Sequence, residues 1–203
     1  MKEKGLLIVV SGPSGAGKGT ICQEFMKSHP DCALSVSATT RAPREGEVHG
    51  VNYFFLSHDE FKKKIDEDGF LEHAIFCENY YGTPKDEVLR MIESGKNVIL
   101  EIEVQGALQV RSHYPEAVFV FVIPPSLEEL EERLRGRGTE SDEVIAKRLE
   151  RAKAEFNYVP KYNYILVNDT VNDAVKRLEA IITAEKCVMT RNYKSIEENF
   201  IER

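Results

Sequence analysis

Residues 11–20 read SGPSGAGKGT, and Gly12, Gly17 and Lys18 stand at the spacing G-x4-G-K directly after the apolar run LLIVV at 6–10. Glycines in such a loop let backbone N–H groups converge on phosphate oxygens. A following helix adds partial positive charge at its N-terminus, and a lysine reaches the outer phosphates. The span Gly12, Pro13, Ser14, Gly15, Ala16, Gly17, Lys18, Gly19 and Thr20 is therefore expected to wrap a nucleotide's phosphates. The alternative is a glycine-rich strand-to-helix turn with no ligand. Gly19 departs from the strict pattern, which places a metal-binding hydroxyl directly after the lysine. Here the hydroxyl comes one residue later, at Thr20.

A second cluster could capture a second anion. SVSATTRAPREGEVHGVNYFF carries Ser37, Arg41, Arg44 and Tyr53, FLEHAIF gives Glu72, and NYYGTP gives Tyr81 and Thr83. Two arginines three apart, flanked by Pro43 and Gly46, suit bidentate capture of a phosphate, and tyrosine hydroxyls can complete its oxygen shell. Read singly, Arg41 and Arg44 could equally be solvated loop charges, and Tyr53 and Tyr81 half-buried core aromatics. Glu72 could simply pair with a lysine or arginine on the surface. None of His29, His49, His58, His73 or His113 falls in a catalytic constellation. The cations that could neutralise transferring phosphate are instead Lys18, Arg41, Arg44, Arg137 and Arg148.

The elements that must position these groups alternate. LLIVV (6–10), NVILEIE (97–103), AVFVFVI (117–123) and the shorter NYILVN (163–168) are continuous apolar runs of the kind a parallel sheet covered on both faces produces. Between them, Leu127, Leu130 and Leu134 follow Ser126, read as a helix cap, Ile145, Leu149 and Ala152 make a second stripe, and 170–186 makes a third. Strands alternating with helices predict a three-layer α/β core. The span 34–94 breaks that rhythm and reads as a mixed α+β insertion over the sheet's carboxyl edge. The charged span 126–156, with RLRGRGTE at its centre, reads as a helical flap, and Arg135 there could pair with Glu131 or Glu132. The residues after Thr190 read as a polar helix or tail without a legible purpose.

Composition narrows the class. The chain has 203 residues with 42% hydrophobic, enough for one domain with small inserted units. A net charge of −7 disfavours non-specific binding to nucleic acid or anionic membrane, both of which need basic surface. Cys22, Cys32, Cys77 and Cys187 are widely spaced, as expected of free thiols in a reducing cytosol. The N-terminal apolar run 6–10 is shorter than a signal-peptide core, and 117–123 is far short of a membrane span, so a cytoplasmic protein is expected. A monomer and a homo-oligomer both fit the sequence.

Taken in order, SGPSGAGKGT, SVSATTRAPREGEVHGVNYFF, NYYGTP, LEIEVQGA and RLRGRGTES resemble the guanylate kinase family, over about residues 5 to 188. The resemblance implies a P-loop NTPase-type three-layer core with a parallel sheet (1–33, 95–125 and 157–203), a GMP-binding insertion (34–94) and a lid (126–156). It implies transfer of the γ-phosphoryl group of ATP to GMP, with Mg²⁺ accompanying ATP, and no nucleic acid polymer or membrane as partner. Ser37, Arg41, Arg44, Tyr53, Glu72, Tyr81, Thr83 and Glu103 would bind GMP. The loop residues 12–20, Arg137 and Asn168 would bind ATP. Lys18, Arg41, Arg137 and Arg148 would carry catalysis, and Thr20 and Glu101 would hold the metal through water. Glu101 and Glu103 stand where many members have aspartate, and Thr83 where some have serine. The family also includes inactive protein-binding modules, and other nucleoside monophosphates have related kinases. The intact loop argues against the first, and Glu72 with Ser37 against the second.

Overall fold

The computed structural model describes residues 4–136 and 141–201. β1 (Leu7–Ser11) runs through the glycine loop into α1 (Lys18–Met26), and β2 (Cys32–Leu34) returns to the same sheet. There follow β3 (Ala38–Thr39), β4 (Phe54–Phe55), α2 (His58–Asp66), β5 (Phe70–Phe76) and β6 (Asn79–Pro84). α3 (Lys85–Glu93), β7 (Asn97–Glu101), α4 (Val104–His113) and β8 (Val118–Ile123) come next. The chain continues through α5 (Leu127–Arg135), α6 (Asp142–Glu155), a 3₁₀ turn (Phe156–Lys161), β9 (Tyr164–Val167), α7 (Val171–Lys186) and α8 (Met189–Ile196), then a π turn (Glu197–Ile201).

The main sheet is parallel throughout, in the order β2-β7-β1-β8-β9. Side chains alternate along each strand, so a fully apolar strand feeds two cores. Ile8 and Val10 face α1 and α7, packing with Phe25, Val120, Leu166, Leu178 and Ile182. Leu7 and Val9 face the opposite way, against Val88, Ile92, Val98, Leu100, Val110 and Phe119. The four expected strands are present. β7 stops at Glu101, short of its apolar run, because Glu103 already serves as the residue before the first turn of α4. β2 went unread: three residues are too few for a pattern, and pairing with β7 is what makes them a strand.

The span 34–94 contains two parts. Residues 38–84 form a second, mixed sheet in the order β4-β3-β6-β5 around Ala38, Phe61 and Phe70, whose rings at 61 and 70 stack 4.3 Å apart. α3, by contrast, buries Val88 and Ile92 against the main sheet. α4 joins the units. The Gln109 side chain accepts from His73 N and donates to His73 O, both at 3.0 Å, so it pairs with edge strand β5 as a further strand would. α5 and α6 pack on one another through Leu130, Leu134, Ile145, Leu149 and Ala152, but Leu127 of the expected stripe is exposed. Ser126 caps α5 by accepting from Glu129 N. α8 has more apolar surface than a polar tail, with Met189, Tyr193 and Ile196 exposed.

The main sheet's edge is tied by one buried amide. Asn97 accepts from Leu6 N at 3.1 Å and donates to Asp31 Oδ2 at 3.1 Å. Asn97→Ala leaves the Leu6 N–H buried and unpaired, which should cost about 1–3 kcal/mol of unfolding free energy, measured by urea denaturation.

Candidate active site

The loop after β1 is shaped by backbone contacts that exclude side chains. Gly12 has φ 138°, and a Cβ there would lie 2.3 Å from the Val122 carbonyl oxygen of neighbouring β8. Gly17 has φ 89°, and its Cβ would meet Asn168 Nδ2 at 2.3 Å. That same amide donates to Ala16 O at 2.8 Å, holding the loop from the end of β9, and Asn168 is 4% exposed. α1 then starts with no side-chain cap and no acidic residue in its first turn, so its leading N–H groups are left for an anion. The Lys18 ammonium donates across the loop to Gly12 O at 2.7 Å and Pro13 O at 3.1 Å.

Three glutamates act on this lysine electrostatically. Loss of hydration pushes its pKa down, while Glu101, Glu155 and Glu103 pull it back up. Desolvation raises Glu101, and Lys18 partly offsets the rise. A Cβ at Gly19 would stand 3.3 and 3.4 Å from the two Glu101 carboxylate oxygens, so the residue that departs from the strict pattern makes room for a carboxylate at the helix start. Thr20 opens onto a cleft lined also by Gly15, Gly17, Arg133, Asn168, Asp169 and Val171. Ser14 and Thr20 are exposed.

Arg133 was not singled out from the sequence. It donates to Asn168 O at 2.9 Å and to Glu129 at 2.8 Å, which brings a guanidinium to the cleft beside the loop. It is the first arginine of RLRGRG, and its spacing from Ser126 on a capped helix could have placed it. Arg135 takes the surface alternative, pairing with Glu131 at 2.7 Å and with Asp142. Arg148 is half-buried on α6, between Ile145 and Ala152, and Arg137 lies outside the described residues. Glu103, expected on GMP, is held by Arg151 at 2.6 Å, and Arg151 also reaches Glu155 at 3.1 Å.

The second cluster gathers on the smaller sheet. Arg41 Nη2 donates to both Glu47 carboxylate oxygens at 2.9 and 3.0 Å, and its guanidinium lies 5.5 Å over the Tyr53 ring. Arg44 donates its backbone N–H to Glu47 at 2.7 Å, while its side chain is exposed. The Tyr53 and Tyr81 ring centroids are 6.3 Å apart. Glu47, which sequence reading passed over, shows that the group accepts an oxyanion, and these donors hold its carboxyl below the usual range. The alternative of solvated loop charges therefore fits the Arg44 side chain but not Arg41. Ser37, half-buried, ends beside β3 and accepts from Phe54 N through its carbonyl.

Glu72 lies at a bulge in β5, directly opposite Thr83 on β6. It is 8% exposed, and Thr83 Oγ1 donates to its Oε1 at 2.6 Å. Among the described residues no ion pair reaches it, so the surface-pair alternative does not hold. Burial pushes its pKa up, and the Thr83 hydrogen bonds oppose the rise. Because the Thr83 proton is committed to Glu72, that hydroxyl offers a ligand lone pairs and no donor. Of the histidines, His29 stacks on Phe25 at 3.8 Å and His113 reaches Leu71 O at 3.1 Å, both structural roles.

A lysine-bearing loop on the main sheet and an arginine pair on the smaller one are thus accompanied by a buried carboxylate. A family model described as guanylate kinase matches residues 4–185. The chain belongs to the guanylate kinase family. It is 55% identical to the guanylate kinase of Caldanaerobacter subterraneus subsp. tengcongensis, over 99% of both chains. It is 57% identical to that of Clostridium acetobutylicum, over 100% of this chain and 94% of the relative. The crystal structure of guanylate kinase from Anaplasma phagocytophilum superposes with a TM-score of 0.74 at 28% identity, covering 100% of this chain and 98% of that one. The main sheet with its loop is the P-loop NTPase-type fold of that family.

The Glu72 site has a pH signature. A carboxyl whose folded pKa is raised binds its proton more tightly in the folded state, so the cost of holding it ionised is absent below the unfolded pKa near 4.5 and grows as pH rises past it. Glu72→Gln should therefore gain thermal stability over the unaltered chain at pH 7. The gap in melting temperature should close as pH falls toward 4, as read by differential scanning calorimetry.

Proposed function

We infer that this chain transfers the γ-phosphoryl group of ATP to GMP, giving ADP and GDP, as the kinases of its family are named for. The observation that carries the reading is the pairing of an uncapped loop–helix start bearing Lys18 with an Arg41 cradle and the buried acceptor Glu72. Residues 12–20, Arg137 and Asn168 are assigned to ATP. Ser37, Arg41, Arg44, Tyr53, Glu72, Tyr81, Thr83 and Glu103 are assigned to GMP, within the 34–94 unit, and 126–156 to a lid over ATP.

The chemistry needs little covalent help. A phosphate oxygen of GMP is already anionic near neutral pH, since its second pKa is about 6, so no general base is required. What remains is alignment and charge neutralisation. Lys18 would leave its loop carbonyls for the phosphate, and Arg41 would exchange the Glu47 carboxylate for the GMP phosphate. Arg137 and Arg148 would add positive charge as the lid closes and water is excluded. Glu72, ionised, accepts only. It can satisfy the N1–H and 2-amino donors of guanine, whereas adenine offers an acceptor at N1 and nothing at position 2.

The donor set fits Mg²⁺. Thr20 and Glu101 supply oxygens, the Glu101 carboxylate lies open beside the helix start, and Mg²⁺ keeps several waters while binding one or two carboxylates and substrate phosphates. Among the described residues no three His, Cys, Asp or Glu side chains gather to hold a metal alone, so most ligands would come from ATP and water. Bound there, it would neutralise charge on the transferring phosphates. The four cysteines are free, and burial pushes the Cys22 thiol up to about 12. No helix among the described residues is long and apolar enough to cross a membrane.

Two measurements test the reading. In a coupled ADP-release assay with ATP and each of GMP, AMP, CMP and UMP, GMP should be preferred by orders of magnitude, and Lys18→Met should lose at least about a hundredfold in kcat with its circular dichroism unchanged. Glu72→Gln should raise the KM for GMP sharply, leave that for ATP nearly unchanged and narrow the preference over AMP. Equal use of all four monophosphates would overturn the assignment.

A further inference from the structure

Gly106 sits in the first turn of α4, buried, with ordinary helical backbone: it is not among the glycines with positive φ. Its conformation therefore does not require glycine, and alanine is the better helix former at such a position. The three nearest atoms that a side chain there would meet all belong to Glu72. A Cβ at 106 would lie 2.9 Å from Glu72 Oε2 and 3.4 Å from both its Cδ and Cγ.

Those contacts matter because Glu72 has little freedom to yield. Its other oxygen is fixed by Thr83 Oγ1 at 2.6 Å, and its strand is fixed to α4 by the paired Gln109–His73 hydrogen bonds and by His113 on Leu71 O. A methyl group at 106 would have to tilt the carboxylate or break the Thr83 bond, and either change misdirects its acceptor pair.

We propose that Gly106 is a positioning residue for base selection, its missing side chain reserving the space in which the Glu72 carboxylate faces the guanine edge. α4 and Thr83 thus set the carboxylate from two sides, one by leaving room and the other by a hydrogen bond. The proposal rests on the reading of Glu72 as the guanine acceptor.

Steady-state kinetics of Gly106→Ala test it, run beside Glu72→Gln. The expected result is a KM for GMP raised about tenfold to a hundredfold, the loss of one hydrogen bond to a charged group. The KM for ATP and kcat at saturating GMP should stay within about twofold, and the preference for GMP over AMP should narrow. In a Glu72→Asp background, whose shorter side chain already draws the carboxylate away, the added Gly106→Ala should have no further effect on GMP, a non-additivity that a general structural defect would not produce. If Glu72→Gln leaves GMP kinetics unchanged, the guanine-reading role of Glu72 falls and this inference with it. If Glu72→Gln is impaired but Gly106→Ala is not, or if Gly106→Ala weakens ATP and GMP alike, the inference alone is overturned. Should Gly106→Ala fail to fold, Glu72→Asp/Gly106→Ala decides: recovered folding supports the steric contact, and continued unfolding overturns it.

Discussion

The start of α1 leaves its leading backbone N–H groups uncapped, and the surrounding fold is built to keep that end both open and rigid. A helix end normally finds a side chain, water or a ligand for these donors. Here β8 presses its Val122 carbonyl so close to Gly12 that only glycine fits, and Asn168 at the end of β9 clamps Ala16 from the other side. The parallel order β7-β1-β8-β9 brings both restraints to one sheet edge. The parallel sheet is therefore more than a scaffold: the loop geometry depends on which strands flank β1.

Charge in low-dielectric surroundings is the second constraint. Glu72, Glu101 and Glu155 all have carboxyls raised by lost hydration, and Lys18 an ammonium lowered by it. Such groups weaken the fold while preparing for ligands whose charge or donors would satisfy them. Lys18, turned back onto loop carbonyls, and Arg41, closed on Glu47, both hold internal partners. Exchanging an internal oxyanion for a substrate's keeps a cation paired throughout, which avoids the larger penalty of leaving it desolvated and alone.

The two sheets are coupled at α4. This helix follows β7, carries Glu103 just before its first turn, leaves space at Gly106 and pairs Gln109 with β5. Glu72 therefore answers to the main core through α4 and to its own sheet through Thr83. Arg41, Tyr53 and Glu47 lie farther along the smaller sheet, on the β3–β4 connection. Glu72 and the Arg41–Glu47 pair share a unit but have separate supports.

Much was legible along the chain. The loop Gly12–Lys18, the apolar strands and the capped helix at Ser126 are local patterns, set by glycine geometry, continuous burial and capping within a few residues. That Arg41, Tyr53, Glu72 and Thr83 belong to one unit also followed from motif order through a family resemblance. The sequence could not tell that Arg41 closes on Glu47 or that Glu103 is held by Arg151, because each arginine had several acids in reach. Nor could it tell that Arg135 stays with Glu131 while Arg133 turns to the cleft. Tertiary structure alone decided that Asn168 supports Ala16 across 152 positions, that Thr83 spends its proton on Glu72, and that a helical glycine at 106 faces a carboxylate. These depend on which strand or helix becomes a neighbour, and in a parallel sheet neighbours are chosen by long crossovers whose packing no local spacing records.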